Sequence, residues 1–180
     1  RFVFNQCLEY VIIHHIFLLK LFIMIHVFNL ESLNATENLA TKIAQVIVPN
    51  FIVSLSGNLG AGKTTLTRAI LRAIGITGSI KSPTFTLVEP YQLESYVVYH
   101  FDLYRFSDPE EWFDAGFDEY FNEPQISFIE WPEKAEGLIP PIDWQVTINF
   151  LNDERRELII NALTNTGDKC LMKLINNVEI

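Results

Sequence analysis

The spacing of apolar and polar residues changes period several times along the chain, and each change marks an element. Leu39, Ala40, Ile43, Ala44 and Ile47 recur at helical spacing, which predicts an amphipathic helix over 34–48. Asn34, three residues ahead of Glu37, supplies a capping box, and Pro49-Asn50 ends the helix. Phe51 to Leu55 is a short apolar run rich in β-branched and aromatic residues, and from Leu66 the spacing is helical again until Gly75. After a Ser82-Pro83-Thr84 turn, the stretch to Tyr91 alternates, and Tyr96 to Phe101 is again rich in β-formers; the short polar link between them predicts a hairpin. Asp108-Pro109-Glu110-Glu111 starts a helix that Gly116 closes. Ile126 to Ile129 is a short apolar strand ending at Glu130. Trp144 to Leu151 and Arg155 to Ile160 alternate around Asn152-Asp153-Glu154, as an antiparallel pair does. The pattern of 161–180 fits a final strand or a short helix.

The first 30 residues do not follow this scheme. Val11 to Phe28 is apolar over a length close to the roughly 20 residues that a bilayer requires. His14, His15, Lys20 and His26 interrupt it, no small-residue cleavage site follows, and the chain begins with Arg rather than Met. The expectation is therefore an apolar extension over 1–23 outside the native domain, with a start at Met24 and a single domain over 24–180. A membrane anchor is the competing reading.

Composition narrows the function. With 180 residues, 49% hydrophobic and 19% charged, the chain can bury a sizeable core, which excludes a disordered protein. A net charge of −9 argues against direct, tight binding of RNA or DNA, because such affinity comes from Lys and Arg neutralising phosphates. Cys7 and Cys170 form no metal or redox spacing, which suits a reducing, cytoplasmic setting.

The chemistry centres on Gly57-Asn58-Leu59-Gly60-Ala61-Gly62-Lys63-Thr64-Thr65, which fits G-x-x-x-x-G-K-[ST] between the apolar strand and the helix. In that context the loop's backbone N–H groups and the helix dipole cradle phosphates. Lys63 reaches the β- and γ-phosphates from an exposed position, the Thr64 hydroxyl ligates Mg²⁺, and Thr65 lies beside the α-phosphate. Such a site needs a further carboxylate at the end of a neighbouring strand. Glu130 and Asp102 both qualify; Glu130 is assigned to the metal, and Asp102 to polarising the attacking water or holding the loop that senses the γ-phosphate.

Thr84 is either a switch hydroxyl closing on Mg²⁺ and the γ-phosphate or part of a plain turn. Arg105 is either an arginine contact to phosphate or a structural salt-bridge partner, and Trp131 either a core anchor or a mobile aromatic near the nucleotide. His100 reads as a strand residue satisfied by its neighbours.

Four blocks in order carry a resemblance: Gly57 to Thr65, Ser82-Pro83-Thr84-Phe85-Thr86-Leu87-Val88, His100-Phe101-Asp102-Leu103-Tyr104-Arg105 and Ile129-Glu130-Trp131-Pro132-Glu133. Together they resemble the bacterial TsaE family, formerly YjeE, over about 34–156. The resemblance implies an α/β P-loop NTPase fold in three layers, whose parallel strands are extended by antiparallel ones. It also implies a slow, Mg²⁺-dependent ATPase acting in tRNA threonylcarbamoyladenosine synthesis. Its partners would be TsaD and TsaB, which transfer the threonylcarbamoyl group to the adenosine 3′ of the anticodon, with ATP hydrolysis resetting that complex and tRNA met only indirectly. By position, Lys63, Thr64 and Thr65 would hold phosphates and metal, Glu130 the Mg²⁺, Asp102 would serve hydrolysis, and Thr36 would lie near the adenine. The family usually has an acid where this chain has Asn58, a position that offers the phosphate its backbone.

Two other classes compete. A small-molecule kinase closes a lid of phosphate-clamping arginines, and the acidic segment Leu103 to Gln125 offers only Arg105. A membrane-tethered GTPase switch needs an Asn-Lys-x-Asp segment to read guanine, which the sequence lacks.

Overall fold

In the computed structural model, residues 24–152 and 154–178 are described. The expected extension over 1–23 therefore lies outside the described residues. Among the described residues, no helix is long and apolar enough to cross a membrane.

Seven strands form one sheet: β1 (Met24–Leu30), β2 (Phe51–Ser56), β3 (Val88–Gln92), β4 (Val97–Asp102), β5 (Gln125–Glu130), β6 (Trp144–Phe150) and β7 (Arg156–Ala162). Their spatial order is β1-β7-β6-β2-β5-β4-β3. β6, β2, β5 and β4 run parallel, β3 adds antiparallel at one side, and β7 and β1 add antiparallel at the other. The expected parallel sheet extended by antiparallel strands is what is found. Among the described residues the α-helices are α1 (Leu33–Ala44), α2 (Lys63–Ile74), the single turn α3 (Glu111–Asp114) and α4 (Asn165–Val178).

The parity of side chains along the central strands separates two cores. Phe51, Val53 and Leu55 of β2 and Ile126 and Phe128 of β5 pack with Leu39 and Ile43 of α1, Leu66 and Ile70 of α2, and Leu171 and Leu174 of α4. Ile52 and Ile129, from the alternate positions, join Phe101, Phe106, Trp112 and Phe117 in a second, aromatic cluster. Each face is thus covered, which is why β2 and β5 read as largely apolar runs, broken only by the buried Ser54 and Ser127, rather than as alternating strands.

Several boundaries differ from the sequence reading, each for a local reason. Ser32, not Asn34, caps α1: its backbone is extended and its hydroxyl accepts from the Ala35 N–H at 3.2 Å, so Asn34 falls inside the first turn. The helix closes at Ala44 rather than continuing to Val48, because Pro49 disfavours helical backbone at Val48 and Asn50 turns left-handed at φ 63°. The strand expected after Thr84 begins only at Val88, since Pro83 to Leu87 form a turn closed by the Leu87 N–H on the Pro83 carbonyl. The end of the apolar run, Met24 to Phe28, is not a membrane segment; it forms β1 and pairs residue for residue with β7. Residues 165–178 resolve into a 14-residue helix.

Asp143, just before β6, ties these pieces together. Its Oδ2 accepts from the Ile52 N–H at 3.0 Å, and its Oδ1 accepts from the Thr164 hydroxyl, which in turn accepts from the Gly167 N–H at the start of α4. The carboxylate is buried. Asp143→Ala would leave a buried N–H without a partner and release the start of α4, so a loss on the order of 3 kcal/mol is expected in urea unfolding.

Candidate functional site

β2 leaves the sheet at Ser56 into Gly57–Gly62, and α2 begins at Lys63. A Cβ on Gly57 would lie 2.5 Å from the Ile148 carbonyl oxygen of β6, so only glycine lets the loop pass that close to the neighbouring strand. The Ala61 N–H donates to the Asn58 carbonyl at 3.0 Å and folds the loop back on itself. No side chain caps α2 at Gly62, so the helix presents its first N–H groups and positive dipole end to the open space above.

Lys63 departs from expectation. Its side chain is buried, 4% exposed, with Nζ donating to the Gly57 carbonyl at 2.7 Å and the Asn58 carbonyl at 3.1 Å. The ammonium also sits 3.9 Å from the centre of the Trp131 ring. Burial pushes its pKa below the usual lysine value, partly offset by the charges of Glu130, Asp102 and Glu133. The expected exposed lysine is therefore corrected: the ammonium turns inward to its own loop's carbonyls.

Sheet register brings the two carboxylates together. Leu55 pairs with Glu130, which pairs with Asp102, while His100 pairs with Phe128. Side chains two residues apart on a strand share a face, so His100, Asp102 and Glu130 all stand on the face that α2 covers. Glu130 is 2% exposed, at the end of the strand next to β2. Its carboxylate accepts from the Thr64 hydroxyl at 2.8 Å, and His100 Nε2 lies 2.8 Å from the same oxygen. His100 is thus satisfied by a neighbour, as read, but the neighbour is the candidate metal acid. Its other ring nitrogen, Nδ1, has no hydrogen-bond partner among the described residues.

Asp102 lies one strand farther from β2. Its Oδ2 accepts from the Thr84 hydroxyl at 2.8 Å and its Oδ1 from the Tyr104 N–H at 3.0 Å. Thr84 therefore belongs to more than a turn: it joins the 83–87 segment to the end of β4. Trp131 has left-handed backbone, φ 59°, and its half-buried ring leans on the second core while covering Lys63. Arg105 is exposed and stacks on Phe85, itself 82% exposed, with 4.4 Å from Cζ to the ring centre. It does not line the cavity.

Two adjoining cavities open over the loop. One of about 290 Å³ is lined by Leu59, Lys63, Thr64, Thr84, Asp102, Glu130 and Trp131 together with Gly60, Gly62 and Thr65. The other, about 380 Å³, shares Gly60, Gly62 and Thr65 and extends past Ala61 to Thr36, Ser32, Ile148 and Arg156. Thr36 is thus at the far end from Glu130, where its hydroxyl donates to the Ser32 carbonyl at 3.3 Å. Polar phosphate-type groups at one end and an apolar-walled recess at the other suit a nucleotide lying across the loop. Among the described residues, no cluster of three His, Cys, Asp or Glu side chains is placed to hold a metal by itself. The Thr64 hydroxyl and the Glu130 carboxylate are hard oxygen donors, which fit Mg²⁺ completed by phosphate oxygens and water. Sequence reasoning did not assign His100 to this site; the one signal was its spacing two before Asp102 on a predicted strand.

A family model described as "Threonylcarbamoyl adenosine biosynthesis protein TsaE" matches residues 30–158. The tRNA threonylcarbamoyladenosine biosynthesis protein TsaE of Haemophilus influenzae is 48% identical over 125 residues, covering 69% of this chain and 78% of that protein. The protein of the same name in Bacillus subtilis is 36% identical over 130 residues, covering 72% and 81%. Among solved structures, Bacillus subtilis YdiB superposes with a TM-score of 0.74 at 27% identity, covering 87% of this chain and 97% of that one.

Proposed function

The chain belongs to the TsaE family of threonylcarbamoyl adenosine biosynthesis proteins, and from that membership we propose that it binds and hydrolyses ATP with Mg²⁺ to reset a TsaD–TsaB transferase complex between rounds of tRNA modification. One observation carries this reading: Thr64 at the start of α2 is hydrogen-bonded to Glu130 at the end of the strand adjoining β2, across a cavity whose opposite wall is the Asp102–Thr84 pair. Loop, hydroxyl and acid are the parts that an ATPase of this kind requires.

In the proposed reaction, water attacks the γ-phosphorus and the bond to the β–γ bridging oxygen breaks, giving ADP and phosphate. The free backbone N–H groups of the loop and of the first turn of α2 hold the phosphates, that of Ala61 being taken by the Asn58 carbonyl, and Lys63 leaves its loop carbonyls to meet the β- and γ-oxygens. Thr64 and Glu130 would hold Mg²⁺, which when bound offsets the negative charge shared by those oxygens. Both oxygens of Asp102 already accept hydrogen bonds, which favours its holding the Thr84 segment in place over acting as a bare base. Thr36 and the recess around it receive the adenosine. A cytoplasmic protein that leaves tRNA to its partners agrees with the net charge of −9.

Reconstitution tests the reading. The chain is added to purified TsaD, TsaB, tRNA and the threonylcarbamoyl donor, and modified tRNA is counted per transferase. With ATP, several rounds are expected; with a non-hydrolysable ATP analogue, about one. Equal yields with and without the chain, or with either nucleotide, would defeat the proposal.

A further inference from the structure

Arg156 stands at the start of β7, opposite Leu30 of β1 and Phe150 of β6, yet its side chain reaches back to the glycine loop. Its Nε donates to the Ala61 carbonyl at 3.1 Å, while Nη1 donates to the Asn152 carbonyl at 2.9 Å and the Arg155 carbonyl at 3.0 Å. The guanidinium also lies 4.3 Å from the centre of the Phe150 ring. Three carbonyls and a ring thus fix one planar group, and the antiparallel extension of the sheet grips the loop through it.

The Ala61 carbonyl and the Gly62 N–H belong to one planar trans peptide and point in opposite directions. Whatever holds the carbonyl therefore aims the N–H. Gly62 has φ 110°, where glycine's freedom leaves this peptide otherwise easy to rotate, and a rotated peptide would turn an oxygen toward an incoming phosphate. Ala61 is held on its other side by its own N–H, bonded to Asn58. The carbonyl is the remaining handle, and Arg156 takes it.

We propose that Arg156 is a positioning residue for the glycine loop, latching the Ala61 carbonyl outward so that the Gly62 N–H is presented to the phosphates of a bound nucleotide. This rests on the reading of the loop as a nucleotide site. It adds the antiparallel hairpin to that site.

Full-length protein and the variants Arg156→Ala and Arg156→Lys are titrated calorimetrically with ADP and with adenosine, after thermal melting has confirmed folding. In parallel, the Gly62 amide of nucleotide-free protein is followed by NMR chemical shift and hydrogen exchange. Arg156→Ala is expected to weaken ADP about tenfold or more, to leave adenosine within about twofold, and to shift and deprotect the Gly62 amide before any nucleotide is added. Arg156→Lys keeps the charge but loses the planar fork, so it is expected to fall in between, and it carries the test if the alanine variant does not fold. Unchanged ADP binding would overturn the proposal. So would equal losses for ADP and adenosine, which would make Arg156 only a cavity wall. A weaker ADP affinity with an unperturbed Gly62 amide, or full recovery in Arg156→Lys, would mean a direct charge contact instead of a latch. Should the parent bind no nucleotide, the ATPase reading fails, while the Gly62 amide still decides whether Arg156 orients the loop.

Discussion

Replacing Lys63 with methionine is expected to weaken ATP binding by ~100-fold or more while leaving the nucleotide-free protein as stable as the parent or more so. The loss of binding follows from charge: the ammonium is the cation of the glycine loop, and a positioned cation acts strongly on phosphate oxygens. The stability effect follows from burial. The folded protein lowers the Lys63 pKa chiefly through desolvation, which means that it tolerates the charged form less well than the unfolded chain does. Methionine keeps the length of the side chain and its contact with Trp131 and removes the charge.

The sign of the pH dependence is fixed by the same shift. Between the lowered folded pKa and the ordinary value of 10.5, the unfolded chain binds more protons than the folded one. The contribution of Lys63 to stability therefore rises with pH through that window and is flat below it. Urea unfolding from neutral pH to about pH 10 should show this rise in the parent and lack it in Lys63→Met. A variant markedly less stable than the parent at neutral pH would show that the two loop carbonyls and the ring hold the ammonium more strongly than burial opposes it.

The second large effect is a separation of two acids. Glu130→Gln is expected to bring ATP affinity with Mg²⁺ down to the Mg²⁺-free level and to slow hydrolysis by ~100-fold or more. Asp102→Asn should leave binding within about threefold while hydrolysis falls by a similar factor. Glutamine retains an oxygen for His100 and Thr64, so the buried imidazole keeps a partner; Glu130→Ala would strand it, at a cost of about 1–3 kcal/mol that would confuse stability with function. Asp102 holds Thr84 and the Tyr104 N–H, and its loss loosens the wall of the cavity without touching Thr64 or the loop. Calorimetry with ATP, with and without Mg²⁺, and phosphate release measure the two quantities. Identical behaviour of the two variants would remove the division of roles.

The local chemistry of the site was legible in the chain because it is written in contiguous residues. A loop so close to the Ile148 carbonyl that any Cβ would clash demands Gly57, the left-handed backbone at the head of α2 demands Gly62, and both are read directly in G-x-x-x-x-G-K-T. The runs of β2 and β5 declared themselves because burial on two faces leaves little polar alternation, and the ends of β5 and β4 located Glu130 and Asp102. Tertiary structure alone decided how these ends meet. Sheet order puts Glu130 beside β2 and Asp102 one strand out, and an order of strands is a property of pairing between distant segments, not of any local pattern. The burial of Lys63 under Trp131 was hidden for the same reason, since a lysine at the open start of a helix is exposed unless a remote aromatic covers it. The segment from Met24 was placed inside the domain but not read as a strand, because a half-exposed edge strand and the end of a hydrophobic run carry the same letters until a partner is supplied; β7 supplies it. Arg156, 95 residues from Ala61, has no sequence signature at all: what it does depends on a hairpin that brings one guanidinium to one carbonyl.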